Sequence, residues 1–362
     1  MKVHVVDPPA YTPPYDHALC AALAAQGLDV ELFTSAFVYG AVAEPDCYQR
    51  HTVFYRHAAG GGGSLGRRTL RLAEHGPDMQ RYRGLARDAD IVHFQWLTLP
   101  ALDGALLPRG RPLVLTAHDV LPRERLAGSH AAQRRLYRRF DAVVAHSQSG
   151  RARLIEEAGV DPGRVHVIPH GAFAHLAALP PAELPAELAP TSKPVVLYFG
   201  LIRPYKGLDV LLKAWHGIRD AELWVVGRPR FARSTIRADD STTLVPRYVS
   251  DLELAACFRR ADLVVLPYLE IEQSGVLATA LAFGSPLIAS DVGGFREVAD
   301  AGAARLVPPG DATALHEALV ELLADAGERE RLSQAAIALA AGDASWERVA
   351  ERTAALYATL VS

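Results

Sequence analysis

Short, almost uncharged runs rich in β-branched and aromatic residues recur along this chain, with amphipathic helical patterns between several of them. Strand-like runs cover residues 3–6, 30–34, 53–56, 91–96, 113–117, 142–146 and 165–168, and helical spacing covers 15–26, 67–87 and 148–158. A strand that is apolar on both faces has to be covered on both, so this alternation predicts parallel sheets between helical layers. A chain of 362 residues exceeds one core of ordinary size. After Gly171 the pattern dissolves into a Pro- and Ala-rich stretch ending at Thr191-Ser192-Lys193, and a second alternating series begins at Pro194. The expected organisation is an α/β domain over residues 1–175, a linker over 176–193, a second α/β domain over 194–344 and a closing helix over 345–362.

Composition narrows the functional classes. A net charge of −3 gives no general reason to bind nucleic acid. Cys20, Cys47 and Cys257 are odd in number and far apart, which suggests neither a disulfide framework nor a zinc site and points to a reducing compartment. The first strand meets Pro8-Pro9 at once, leaving no apolar core for a secretion signal. The longest uncharged run, 273–290, is broken by Gly284 and Pro286 and reads as helix plus strand rather than as a membrane span. A cytoplasmic protein is expected. No G-x-G-x-x-G follows the first strand, where the chain instead runs Pro8-Pro9-Ala10-Tyr11-Thr12-Pro13-Pro14, which argues against a dehydrogenase.

The second half carries the sharper chemical signals. Gly200-Leu201-Ile202-Arg203-Pro204-Tyr205-Lys206-Gly207 links the buried strand pattern 194–199 to an amphipathic helix over 208–215. Cations beside a helix N-terminus are disfavoured by roughly 0.3 to 1 kcal/mol, a sign that a bound phosphate or diphosphate reverses. The alternative is a loop with solvated basic residues. A further strand pattern, 261–267, leads through Tyr268 and Glu272 to Gln273-Ser274-Gly275, at the start of a small-residue helix ending at Phe283-Gly284. Glycine there lets a ligand approach outward-pointing amides. Strand 286–290 then turns into Asp291-Val292-Gly293-Gly294.

With G-L-I-R-P-Y-K-G at 200–207, A-D-L-V-V-L-P-Y at 261–268 and Q-S-G-V-L-A-T-A-L-A-F-G-S-P-L-I-A-S-D-V-G-G-F-R-E-V at 273–298, the sequence resembles the family-four retaining glycosyltransferases. T-A-H-D at 116–119, V-I-P-H-G at 167–171 and S-W at 345–346 extend the likeness in family order. The resemblance implies the GT-B fold: two Rossmann-like domains facing across a cleft, with the C-terminal helix packing back on the first. It implies transfer from a nucleoside-diphosphate sugar, used as co-substrate, to a glycan, lipid-linked or small-molecule acceptor, with retention and with neither cofactor nor metal. A nucleotide-sugar 2-epimerase and a non-catalytic sugar-binding member are the alternatives on the same architecture.

Residue by residue, Arg203 and Lys206 are expected at the diphosphate, with Gly200, Gln273 and the amides of Ser274, Gly275 and Val276 around them. Gly227, Tyr248 and Val249 are expected to flank the base. His118 follows the strand pattern 113–117 at the carboxyl edge of the first domain, where a role toward the donor sugar competes with a structural one. Asp119 reads either as a helix cap or as an acceptor contact, while Tyr11 and His170 read as acceptor or cleft residues. Where many relatives carry two glutamates eight residues apart, this chain has Ile271 and Thr279. Glu270 and Glu272 bracket the first position; Thr279 offers the second a hydroxyl in place of a carboxylate. Two further features stay open. Gly60-Gly61-Gly62-Gly63-Ser64 is either an acceptor lid or plain flexible loop, and Arg134, Arg135, Arg138 and Arg139, interleaved with Leu136, Tyr137 and Phe140, are either a peripheral dock for an anionic membrane or a solvated helix face.

Overall fold

The computed structural model describes residues 1–37, 42–58, 65–121, 129–230 and 241–361, so the glycine run 60–64 lies outside the described residues. It divides into two units, Met1–Pro169 with Trp346–Ser362, and His170–Ser345.

In the first unit, strands β1 (Lys2–Asp7), β2 (Asp29–Ser35), β3 (Gln49–Phe54), β4 (Ile91–Phe94), β5 (Leu113–Thr116), β6 (Ala142–Ala145) and β7 (Val165–Val167) form one parallel sheet in the order β3-β2-β1-β4-β5-β6-β7. Between them run helices α1 (Pro13–Ala25), α2 (Leu65–Leu85), α3 (Pro100–Leu106), α4 (Ser129–Tyr137) and α5 (Gln148–Glu156). Strands β4, β5 and β6 are buried throughout, as expected of a sheet covered on both faces. Helix α1 starts on Pro13, whose missing N–H costs nothing at a first turn.

The second unit holds α6 (Ala174–Ala177), β8 (Val195–Phe199), α7 (Leu208–Trp215), β9 (Glu222–Val226), β10 (Thr242–Val245), α8 (Asp251–Arg260), β11 (Leu263–Leu266), α9 (Gly275–Ala282), β12 (Leu287–Ser290), α10 (Phe295–Asp300), β13 (Arg305–Val307), α11 (Ala312–Ala324) and α12 (Ala326–Ala341). Its six strands are parallel in the order β10-β9-β8-β11-β12-β13. Strand alternation deals the side chains to two cores. Val195, Leu197, Trp224, Val226, Val264 and Leu266 enter one, and Val196, Tyr198, Leu223, Val225, Leu263 and Val265 enter the other.

The last helix, α13 (Trp346–Val361), belongs to the first unit. Trp346 meets the Tyr15 ring edge-on at 5.0 Å, and Tyr357 reaches the buried His93 Nδ1 at 2.6 Å. The segment 176–193, expected as a linker, is packed on the second unit together with the residues just before it. Residues from His170 onward pack on the second unit: Ala172 N–H donates to the Ala344 carbonyl at 2.7 Å, Leu188 is buried, and Arg259 donates to the carbonyls of Ala177, Leu179 and Pro180. Prolines break the helical pattern there without loosening the chain.

Candidate functional site

In the second unit the chain leaves β8 toward β9 on one side, whereas β11 leads to β12 on the other. Strand order reverses between β8 and β11, and open α/β sheets bind ligands outside the carboxyl ends of such a pair. The two motif segments are the loops that follow these strands. They are tied together by Leu269 N–H, which donates to the Tyr205 carbonyl at 2.8 Å, while Gly200 N–H ties the first of them to the end of β9 through the Val226 carbonyl at 2.9 Å. A Cβ on Gly207 (φ 65°) would overlap the Pro267 carbonyl oxygen, and one on Gly227 (φ 148°) would overlap that of Gly200. Both positions combine close backbone approach with a left-handed φ, which glycine alone tolerates.

Lys206 ends the 3-10 turn Pro204–Lys206 and is only 9% exposed, with its ammonium 4.9 Å from the centre of the Tyr268 ring. The same Nζ lies 3.3 Å from where a Cβ on Gly200 would stand, and Val276 in the first turn of α9 lies 3.0 Å from that point. Ammonium, Gly200 and the start of α9 therefore surround one small volume. The sequence suggested that the cations serve the helix after β8; the Lys206 side chain instead reaches α9. Ser274 caps α9 by accepting from Leu277 N–H at 3.3 Å, which leaves the Gly275 and Val276 amides as first-turn donors. Among the described residues Lys206 forms no ion pair with a carboxylate, and the half-buried Arg203 makes no side-chain hydrogen bond. A ring face offsets part of the cost of desolvating an ammonium, but a buried charge calls for a counter-charge. The site suits a phosphate-like anion.

The remaining donor residues sort by environment. Gln273 is half-buried, Glu272 is buried and Glu270 is exposed. Thr279 is buried, and its hydroxyl donates to the Gly275 carbonyl at 2.8 Å, so its proton is spent inside α9. Gly227 follows β9, Val249 packs against the core, and the exposed Tyr248 ring carries the Arg228 guanidinium 5.7 Å from its centre. Neighbouring Arg247 is engaged by Glu187 at 2.8 Å and by Glu253 at 2.7 Å, and its hydrogen bond draws the Glu253 carboxyl down to about 2. His170 belongs to this unit. It meets Phe173 edge-on at 5.3 Å, and Phe173 lies against Gly275 at the start of α9.

His118 stands after β5, as its place in the sequence suggests, but its ring is 2% exposed. It stacks on Trp96 at 4.9 Å, meets the edge of Tyr15 at 4.9 Å, and approaches the Gln95 Oε1 at 3.3 Å. Asp119 is half-buried, with its carbonyl accepting from the Tyr137 hydroxyl at 3.3 Å. Tyr11 is 60% exposed and braced edge-on against Trp96 at 5.2 Å. Three residues of this neighbourhood escape a motif-based reading: Trp96, and the buried acids Asp7 and Asp16. Burial pushes the Asp7 carboxyl up to about 6 and the Asp16 carboxyl well above its usual range. An acid ending the first strand, at the carboxyl edge, is the one signal that marks Asp7 in advance.

On α4 the four arginines 134, 135, 138 and 139 are exposed in or just beyond the helix, whereas Leu136, Tyr137 and Phe140 are buried. No apolar side chain of this cluster is free to enter a bilayer. Among the described residues no helix is long and apolar enough to cross a membrane.

Two parallel sheets, each with a reversal of strand order, and a buried cation beside the second reversal are the arrangement of a GT-B glycosyltransferase. The chain belongs to glycosyltransferase family 4: residues 15–172 match "Glycosyltransferase Family 4" and residues 193–325 match "Glycosyl transferases group 1". A phosphatidyl-myo-inositol mannosyltransferase of Mycobacterium leprae is 32% identical over 76% of this chain and 75% of its own length. A D-inositol 3-phosphate glycosyltransferase of Nocardia farcinica is 28% identical over 75% of this chain and 67% of its own length. Among solved structures, Anabaena HepE in complex with UDP-glucose shares the fold, with a TM-score of 0.75 at 18% identity over 99% of this chain and 100% of that one.

Proposed function

We propose that this glycosyltransferase moves its sugar with retention of anomeric configuration and without a metal ion, neutralising the donor diphosphate with its own cations. The observation that carries the reading is Lys206, a buried ammonium without a carboxylate partner among the described residues, beside Gly200 and the first turn of α9. As the bond from sugar to diphosphate breaks, negative charge grows on the leaving oxygen. Lys206, Arg203 and the Gly275 and Val276 amides are oriented before that charge appears, which is the condition for lowering the barrier. Phe173, beside the start of α9, and His170, edge-on against it, would limit water access there in this reading. No protein nucleophile is assigned: the acceptor hydroxyl attacks from the face the diphosphate leaves, and a diphosphate oxygen takes its proton. The names of the relatives favour a cyclitol phosphate or a glycolipid as acceptor and the HepE complex favours a uridine nucleotide as one donor to try. Any contact with an anionic membrane rests on the α4 arginines by charge alone, and is therefore salt-sensitive.

With a matched donor and acceptor, activity is expected to persist in EDTA, and NMR of the product is expected to show the anomeric configuration of the donor. Loss of activity that magnesium restores, an inverted product, or release of an isomerised free sugar would each overturn the proposal.

A further inference from the structure

The first sheet ends at β7, whose one partner strand among the described residues is β6. Beside this open edge lies a cleft of about 650 Å³, walled by β7, α5 and α13, all of them in the first unit. The strand-order reversal of this sheet falls elsewhere, between β1 and β4, with β5 and β6 intervening. Each wall of the cleft contributes one basic side chain: Arg151 from α5, His166 from β7 and Arg352 from α13, all half-buried. No aspartate or glutamate is among the described residues that line it. Two acids of the helical walls are engaged by other arginines, Glu157 by Arg153 at 2.7 Å and Glu351 by Arg348 at 2.6 Å. Arg151 donates to a neutral group, the Pro162 carbonyl, at 3.4 Å. Burial and the Arg151 charge together push His166 below its usual range, so the guanidinium and the imidazole are close enough to repel as cations.

Like charges gathered in a recess repel one another, and an anion placed between them reverses the sign of that interaction. Two guanidiniums present paired N–H donors to the terminal oxygens of a phosphate, and an imidazole adds a third donor. The cleft is larger than phosphate alone needs. Its volume falls in the range of roughly 300 to 1,000 Å³ usual for small-molecule sites, and the buried Ile168 and Leu356 give part of it an apolar lining. An organic group esterified to the phosphate fits that division into a basic part and an apolar part. Buried aliphatic side chains suit a molecule that enters the cleft, whereas a bilayer calls for apolar side chains that project from the surface. We propose that this cleft binds a phosphate monoester through Arg151, His166 and Arg352, residues distinct from the loops proposed to hold the donor diphosphate. The inference does not depend on the transfer mechanism and goes beyond it.

The test titrates glucose 6-phosphate, AMP, inorganic phosphate and glucose into the full chain by calorimetry. Sedimentation with phosphatidylcholine vesicles containing phosphatidic acid tests the lipid-borne source of the same group. Glucose 6-phosphate or AMP is expected to bind the parent one-to-one with a Kd below about 1 mM, about tenfold or more tighter than inorganic phosphate or glucose. Arg151→Gln and Arg352→Gln are each expected to weaken that ester about tenfold or more, and the double variant to lose it, because an amide keeps polarity without the charge. Lys206→Met is expected to keep ester affinity within about twofold. UDP and GDP titrated into the same variants read the donor loops separately, so failure of the Lys206 reading leaves this test intact. Both arginines are half-buried and on different helices, and a melting curve checks each fold; if one variant unfolds early, the other carries the comparison. Neither ester bound by the parent, inorganic phosphate bound as tightly as the esters, equal affinity in the double variant, or a loss in Lys206→Met as large as in the arginine variants would overturn the inference. Binding of the vesicles without binding of either soluble ester would overturn it as well.

Discussion

At the residue scale the account turns on groups whose polar needs the protein leaves to a ligand and groups whose needs it meets itself. Lys206 and Arg203 are of the first kind. Replacing either by Ala is expected to lower turnover about 100-fold, comparable to losing one preorganised donor to a developing anion, while the free protein unfolds at an unchanged or higher temperature. Initial rates and a melting curve check both halves, and near-normal turnover in both variants would return these residues to a solvated loop. Thr279 is of the second kind, since its hydroxyl proton already serves the Gly275 carbonyl. Thr279→Val should therefore leave calorimetric affinity for UDP and GDP within about twofold, whereas a tenfold loss would place the hydroxyl on the ribose.

At the scale of elements, the loops after β8, β9 and β11 are held at one point by glycines. Gly207→Ala and Gly227→Ala each force a methyl group into a carbonyl oxygen at a left-handed φ, and each is expected to cost more than about 2 kcal/mol in urea unfolding and to lose nucleotide binding. Tyr357→Phe on α13 leaves the buried His93 Nδ1 without its 2.6 Å partner and should cost about 1 to 3 kcal/mol without touching donor affinity. Strands buried on both faces announce themselves in the sequence, and α7 begins and ends where the spacing of its leucines places it. Elements with one wet face do not: β10 goes unseen, and β3 begins four residues before its apolar part because Gln49 to Thr52 read as loop at the sheet edge. The stretch 176–193 looks free because the atoms that hold it, on Arg259 and in the core around Leu188, are distant in sequence. The loops proposed to hold the diphosphate are legible because glycine and cation spacing is local. The burial of Asp7 and Asp16 is not, since it exists only once β1, its loop and α1 are folded together.

For the whole molecule, buried ionisable groups set the response to pH. Burial lowers His4 to about 4, His93 to about 3 and His146 to about 4, so all three are neutral in the fold. Between pH 6.5 and about 4 the unfolded chain takes up protons at these histidines that the fold refuses, and stability falls on acidification. Asp7 and Asp16 act in the opposite sense, because the fold retains protons there that the unfolded chain releases above about pH 4. From pH 7 to pH 5 the three histidines and the two acids therefore oppose each other, and the histidines are expected to prevail, so that urea unfolding shows lower stability at pH 5; equal or greater stability at pH 5 would contradict it. The central claim, that Lys206 and the start of α9 hold the donor diphosphate, is tested most directly by titrating UDP, GDP and the corresponding nucleosides into the parent and into Lys206→Met, which keeps the length of the side chain without its charge. The account predicts that the parent binds one of the diphosphates far more tightly than its nucleoside, and that Lys206→Met weakens the diphosphate by about 10- to 100-fold while leaving the nucleoside unaffected. Equal diphosphate affinity in the two proteins would contradict it.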